Sequence, residues 1–244
     1  MTKLAARLPH SVQTATMRAV VRLPRPLKRL IAGKPIVLDG QTLALEAQVL
    51  LRMVALTEIT LADGTVQEAR ESLELNSAVT VGPPLEVDAR DLTIPTPDGT
   101  LPARLYSPRD VAGPAPLLVF FHGGGWVVGS INSHDYAARF LALHAGVRVL
   151  SVEYRLAPDH RFPAAVNDAL AAFDHAYKHA DDLGADQSRI AVGGDSAGGN
   201  LAAVVAQQAV RRGGPAPALQ VLIYPEVDFA VRRPSRRLFA EGFF

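Results

Sequence analysis

The chain has 244 residues, of which 48% are hydrophobic and 20% are charged, and its formal net charge is +1. These values are typical of a globular protein and exclude collagen-like, low-complexity and fully disordered chains. The absence of cysteine excludes disulfides, a thiolate zinc site and a cysteine nucleophile. No apolar run is long enough to cross a bilayer and no secretory h-region follows the early positive charges, so we expect a cytoplasmic protein.

The N-terminal segment is basic, because no acid precedes Asp39 while eight cations do: Lys3, Arg7, Arg18, Arg22, Arg25, Lys28, Arg29 and Lys34. Apolar residues at helical spacing between Val12 and Leu23 predict an amphipathic helix. Two interpretations stay open: the helix covers an apolar surface of the protein, or it makes a peripheral contact with lipid. We expect no nucleic-acid partner, because the segment has no aromatic residue to stack on a base and the rest of the chain is not basic.

Residues 1–85 show mainly helical patterns, including apolar residues at near-helical spacing from Leu43 to Val54. Gly82 and the following Pro-Pro pair end this region. Short strands then begin, at 92–94 and 102–106, with a turn signal at 97–99 between them.

From Leu117 onward, strand and helix patterns alternate. Strands are predicted at 117–121, 147–152, 190–192 and 219–224, and helices around 134–145, 163–180 and 197–211. Apolar strands that alternate with helices predict an α/β fold, with a mostly parallel sheet and helices on both faces.

The string Gly194–Gly198 has a Gly-x-Ser-x-Gly pattern centred on Ser196. It lies between a predicted strand at 190–192 and a predicted helix, which is the setting of a nucleophile elbow. Such a turn is tight enough to require small residues beside the serine, and it lifts the serine oxygen above the strand end, close to the helix N-terminus.

The string His122–Trp126 contains three consecutive glycines directly after the strand that ends at Phe121. Glycines let backbone N–H groups approach a ligand closely, so this loop and the N–H of Ala197 are candidates to hold the oxygen that becomes negative during ester cleavage. A phosphate cradle is the rival interpretation, but no Gly-Lys-Ser/Thr follows. We expect His122 to anchor the loop rather than to carry a proton.

Three strings together, His122–Trp126, Tyr154–His160 and Gly193–Asn200, resemble the bacterial hormone-sensitive-lipase-like esterases of the α/β-hydrolase fold. The resemblance runs from about Leu101 to the last residue. It implies hydrolysis of small-molecule carboxylic esters of short-to-medium acyl chains, a helical N-terminal cap and no cofactor or metal.

The resemblance also assigns roles. Ser196 would be the nucleophile, and Gly124, Gly125 and Ala197 would supply the oxyanion-hole N–H groups. Asp195 and His160 match scaffold positions, while Glu153 and Asp159 stand where the family usually has Asp and Glu. The implied domains are a helical cap at 1–85 and an α/β-hydrolase core at 86–244 that ends after the sixth strand of the fold.

The triad of this fold runs in the order Ser, then Asp or Glu, then His. No histidine follows Ser196, since all seven lie upstream: His10, His122, His134, His144, His160, His175 and His179. The later acids are Glu226, Asp228 and Glu241. We expect a chain truncated before its last strands, without the triad acid and base.

Two consequences follow from that expectation. The last predicted strand, 219–224, would lie open at a sheet edge, where a second chain or another copy could pair with it. The alternative function is a non-catalytic ligand-binding protein or inactive homologue that keeps the pocket but has lost the chemistry.

Overall fold

A computed structural model describes residues 10–57, 64–80, 82–231 and 233–240. Within those residues the chain forms two compact units, one drawn from the ranges 1–65, 75–82 and 228–244, the other from Val66–Glu74 and Pro83–Val227. The cap and core division at residue 85 stays a prediction. No helix in the described ranges is long and apolar enough to cross a membrane.

The elements in chain order are α1 (His10–Arg22), α2 (Arg25–Ala32), β1 (Val37–Leu38), β2 (Gln41–Thr42), α3 (Leu45–Thr57), α4 (Val66–Thr80), β3 (Val87–Thr96), β4 (Gly99–Pro108), β5 (Ala115–Phe121), α5 (Asp135–Ala145), β6 (Arg148–Val152), α6 (Ala164–Lys178), β7 (Ala185–Asp195), α7 (Ala197–Arg211), β8 (Gln220–Ile223) and α8 (Pro234–Leu238). The helices and strands predicted from the sequence are confirmed.

The first unit contains the small helices of the N-terminal region. Its apolar centre joins the end of α2 to α3, through buried Ala32, Leu45 and Val49. Strands β1 and β2 form an antiparallel hairpin. Its turn residues Asp39 and Gly40 both have positive φ, 49° and 72°, which explains the Asp-Gly pair, because such turns require this conformation.

The second unit is built on a six-stranded sheet with the order β3-β4-β6-β5-β7-β8. Strands β3 and β4 form an antiparallel hairpin, and β4 also runs antiparallel to β6. The pairs β5–β6, β5–β7 and β7–β8 are parallel. Alternate residues of β5 pack into different clusters on the two faces, Val119 with α6 and α7 and Phe120 with α5, as expected for a sheet covered on both sides.

Strand β8 is the last strand of this sheet. Its flanking residues Leu219 and Tyr224 are 60% and 70% exposed, although their apolar sequence is typical of an interior strand. The expectation that this strand lies at a sheet edge therefore holds within the described residues.

A buried ion pair fixes the loop after β6 to helix α6. Asp168 is only 2% exposed, and it accepts hydrogen bonds from the Arg155 backbone N–H at 2.8 Å and from Arg155 Nη2 at 2.7 Å. The same Nη2 also donates to the exposed Asp98 at 2.9 Å. Arg155 thus joins a buried and an exposed carboxylate.

We expect Asp168→Asn to lower the free energy of unfolding by about 3 kcal/mol, because it removes the charge of the buried carboxylate that accepts from both the backbone and the guanidinium of Arg155. Asp98→Asn removes the exposed partner of the same arginine, and we expect it to cost about 0.5 kcal/mol. Urea unfolding of both variants measures the difference. Equal losses would show that the buried pair has no special weight.

Candidate active site

The two glycine-rich strings lie side by side at the end of the sheet where its parallel strands have their carboxyl ends. Strands β5 and β7 are parallel neighbours, with Phe121 paired to Gly194. The loop that begins at His122 and the turn at Ser196 therefore leave adjacent strands at their carboxyl ends, where α/β sheets usually bind ligands.

Ser196 occupies a strained backbone conformation between β7 and α7, with φ 50° and ψ −116°. Its N–H donates to the Ile223 carbonyl at 2.9 Å, and its own carbonyl accepts from Asn200 N–H at 3.0 Å. A non-glycine residue in this region costs on the order of 1–3 kcal/mol and is characteristic of functional turns. The geometry is that of the predicted nucleophile elbow.

The two glycines that flank Ser196 are required by space. A Cβ atom at Gly194 would lie 2.2 Å from the Phe121 carbonyl oxygen, and one at Gly198 would lie 1.9 Å from the same atom. Both distances are far below van der Waals contact, and the obstacle is backbone. The Gly-x-Ser-x-Gly spacing is thus fixed by the passage of β5 against this turn.

The loop His122–Trp126, which holds the candidate oxyanion donors, also requires glycine at one position. Gly124 has φ +121°, and a Cβ atom there would lie 2.1 Å from the Val128 carbonyl oxygen, while Gly125 has φ +60° and open space. The Gly124 carbonyl accepts from the N–H groups of Val127 and Val128 at 3.1 and 3.0 Å. The backbone hydrogen bonds outside helices and strands include none that is donated by the N–H groups of Gly124, Gly125 or Ala197, within the part of the chain that the structure describes.

Asp195 links this loop to the elbow. Its Oδ1 accepts from Gly123 N–H at 2.9 Å and lies 3.5 Å from His134 Nε2, and its Oδ2 accepts from Tyr224 OH at 3.3 Å. Burial raises the pKa of Asp195, but the His134 side chain and the Gly123 N–H outweigh that effect, so the net pKa is lowered. These contacts join the Asp195 carboxylate to the glycine loop, to His134 and to Tyr224.

His122 is fully buried behind the loop. Its Nδ1 lies 2.8 Å from the Gly123 carbonyl, its ring stacks on Tyr154 at 4.3 Å, and Tyr154 OH donates to its carbonyl at 2.7 Å. Burial lowers the pKa of His122 to about 4, so the ring is neutral at pH 7, and we assign the proton to Nδ1. These contacts agree with a loop anchor.

Helix α4 holds the far end of the oxyanion candidate loop. Arg70 donates from Nε to the Val127 carbonyl at 2.8 Å and from Nη2 to the Ala157 carbonyl at 3.0 Å. Its Nη2 also lies 2.8 Å from Asp159 Oδ2, and this hydrogen bond lowers the pKa of Asp159. Asp159 therefore has a structural partner.

Glu153 is a half-buried acid with a structural contact, since it accepts from Ile131 N–H at 2.8 Å. Burial is the main cause that raises its pKa. Sequence reasoning placed no weight on Arg70 or on His134, the histidine that approaches Asp195. No local motif marks either residue, because both contacts join positions far apart in the chain.

No described histidine forms a hydrogen bond with Ser196, and the His160 side chain is exposed. Among the later acids, Asp228 lies in an ion pair with Arg233 at 2.9 Å, and this partner is the main cause that lowers its pKa. Glu241 lies outside the described residues. The described side chains also contain no group of three or more His, Asp or Glu that could hold a metal ion.

Comparison with known proteins supports this reading of the motifs. A family model described as the alpha/beta hydrolase fold matches residues 118–244, slightly more than half of the chain. The chain belongs to the α/β-hydrolase fold family. This result confirms the family predicted from the three sequence strings.

Several relatives of this α/β-hydrolase carry esterase names. Carboxylic ester hydrolase LipN of Mycobacterium tuberculosis is 43% identical over 246 residues, which cover 97% of this chain and 65% of that protein. Ethyl acetate hydrolase of Pseudomonas putida is 48% identical over 181 residues, or 72% of this chain and 57% of that protein. The chain thus spans less than two thirds of the length of these relatives.

Solved structures give the same picture. The ester hydrolase EH1AB1 from the metagenome of Lake Arreo, complexed with a derivative of bipyridine phosphonate, aligns with a TM-score of 0.79 at 39% identity, over 86% of this chain and 66% of that one. An esterase of Pyrobaculum calidifontis aligns with a TM-score of 0.73 at 42% identity, over 80% of this chain and 64% of that one.

The backbone strain at Ser196 should affect the free energy of unfolding of this α/β-hydrolase. We expect Ser196→Gly to be more stable than Ser196→Ala by about 1 kcal/mol, because glycine adopts this φ without strain, even after its larger unfolded-state entropy is counted. The two free energies of unfolding in urea measure the difference. An alanine variant as stable as the glycine variant would show that the turn is not strained.

Burial of His122 makes a pH prediction. The folded pKa of about 4 lies below the ordinary value, so the unfolded chain binds the extra proton and stability falls as pH drops from about 6.5 toward 4. We expect wild type to lose roughly 2–3 kcal/mol between pH 7.5 and pH 4.5 that His122→Asn does not lose. Parallel losses in both proteins would contradict a buried neutral ring.

Proposed function

We propose that this protein hydrolyses carboxylic esters of short-to-medium acyl chains, with Ser196 as the nucleophile. The observation that carries the proposal is the strained Ser196 turn beside the glycine loop, at the carboxyl ends of two adjacent parallel strands. The esterase names of the relatives support the same reaction class.

In the proposed reaction, Ser196 Oγ attacks the ester carbonyl carbon. The carbonyl oxygen becomes negative in the tetrahedral intermediate, where the N–H groups of Gly124, Gly125 and Ala197 stabilise it. The alcohol then leaves, and water cleaves the acyl-serine ester to release the acid. One oxyanion donor of this kind contributes about 10²–10³-fold to turnover, and the α7 N-terminus adds a favourable dipole.

A full rate also needs a base for the Ser196 proton, because a protonated serine is a poor nucleophile. No histidine follows Ser196 in this sequence, and none of the described ones is bonded to it. The proposed relay therefore needs an acid and a histidine beyond these contacts. Loss of a triad histidine lowers turnover by about 10⁶-fold in a serine protease.

The absence of a described histidine bonded to Ser196 favours the second candidate, a non-catalytic protein that binds esters or carboxylates. The three N–H groups would hold the ligand oxygen, while the missing base would prevent turnover. This candidate gives no reason for a strained serine at position 196, since a glycine there would bind the same ligand without strain.

The decisive comparison is hydrolysis of p-nitrophenyl butyrate by the purified chain, by Ser196→Ala and by Ser188→Ala, which removes an exposed hydroxyl on β7. We expect slow hydrolysis that Ser196→Ala abolishes and Ser188→Ala leaves unchanged. The rate is expected to be low because no described base activates the serine.

Two other outcomes contradict the proposal. Equal hydrolysis by wild type and Ser196→Ala would remove Ser196 as the nucleophile. A folded wild-type chain that binds butyrate but shows no Ser196-dependent hydrolysis would establish the binding candidate instead.

A further inference from the structure

We propose that helix α2 is a docking surface for an anionic lipid membrane. Its apolar residues face away from the unit to which it belongs: Leu27, Leu30 and Ile31 are 47%, 80% and 37% exposed. These positions share one face of a helix, because they are three and four residues apart. Exposed apolar stripes of this kind mark interaction sites.

The inward side of α2 has the opposite character. Ala32 is buried, and the Lys28 side chain is only 13% exposed, with its Nζ 3.6 Å from Glu46 Oε1. A surface helix normally places its apolar stripe inward and its lysines in water. Helix α2 does the reverse, so packing within the unit does not explain Leu27, Leu30 and Ile31.

The charge around the stripe indicates the kind of partner. Arg22, Arg25, Arg29 and Lys34 are exposed, and the sequence has no acid before Asp39. Arg25 and Arg29 lie on the side of α2 opposite the stripe, and Arg22 and Lys34 lie just beyond its two ends. A helix with apolar residues on one face and cations on the other is the pattern of helices that lie in the headgroup region of anionic membranes. Long arginine side chains reach the phosphates while the leucines enter the acyl boundary.

Other occupants fit this surface less well. A second copy docked through the same face would bury three apolar side chains from each copy, which is well below the roughly 1,200 Å² of a stable protein interface, and it would leave Arg25 and Arg29 without a partner role. A single-stranded nucleic acid would lack stacking partners, since no aromatic residue precedes Tyr106. An anionic bilayer satisfies both the stripe and the cations.

The test uses co-sedimentation of the full chain with vesicles of phosphatidylcholine alone or with about 30% phosphatidylserine, at low salt. We expect binding to the anionic vesicles only, and weaker binding as salt rises. The proposal is independent of the proposed function, because this readout needs no ester hydrolysis.

Two double variants separate the apolar and charged parts of the surface. We expect Leu27→Ser/Leu30→Ser to weaken binding by about tenfold or more, and Arg25→Gln/Arg29→Gln to weaken it by about 25-fold, or roughly fivefold for each cation. The matched controls are Phe162→Ser/Val210→Ser, at residues 87% and 65% exposed, and Arg161→Gln/Arg211→Gln, which makes the same charge change at exposed sites. Both controls are expected to bind like wild type.

Several outcomes would overturn the proposal. The proposal is wrong if wild type does not bind anionic vesicles at low salt. It is also wrong if the test variants bind no worse than their controls. A loss with the arginine variant but not with the leucine variant would indicate a general polyanion site. Self-association that only the leucine variant abolishes, without vesicle binding, would assign the stripe to a second copy. Thermal melting of each variant shows whether it is folded.

Discussion

The contact between the Phe121 carbonyl and the turn around Ser196 is the constraint on which the site depends. This oxygen leaves no room for a Cβ atom at Gly194 or Gly198, so β5 and the elbow meet backbone to backbone. The glycine loop that follows Phe121 therefore starts beside this turn, and the Asp195 carboxylate joins the two through the Gly123 N–H. The positive φ of Ser196 is compatible with this close approach, and neighbouring packing must hold it there.

Two side chains, one neutral and one ionised, make contacts with the backbone of the glycine loop. The neutral His122 ring is buried against Tyr154 and bonded to the loop backbone, while ionised Asp195 accepts from the Gly123 N–H. Neither group is placed to exchange a proton with Ser196. These contacts fix the backbone of the loop, and the proposed stabilisation of a developing negative charge requires donors fixed in this way.

The sequence predicts those parts of the structure that depend on patterns among neighbouring residues. Apolar runs identified the strands, and glycine spacing identified the elbow and the loop, because both depend on neighbouring residues. The extension of β7 to Asp195 was missed, since its last residue pairs with Ile223 and no local pattern shows this. The contacts of Arg70 with Val127 and of His134 with Asp195 join distant segments, so they required the folded structure.

The backbone and side-chain parts of the proposed chemistry are separable in this chain. The N–H groups of Gly124, Gly125 and Ala197 are positioned by strand ends and glycine conformations, all within residues 115–200. Proton transfer depends instead on a base, and the described histidines make no bond to Ser196. In the proposed reaction, the binding of the ester carbonyl depends on these backbone donors, whereas rapid turnover needs one more group, a base for Ser196.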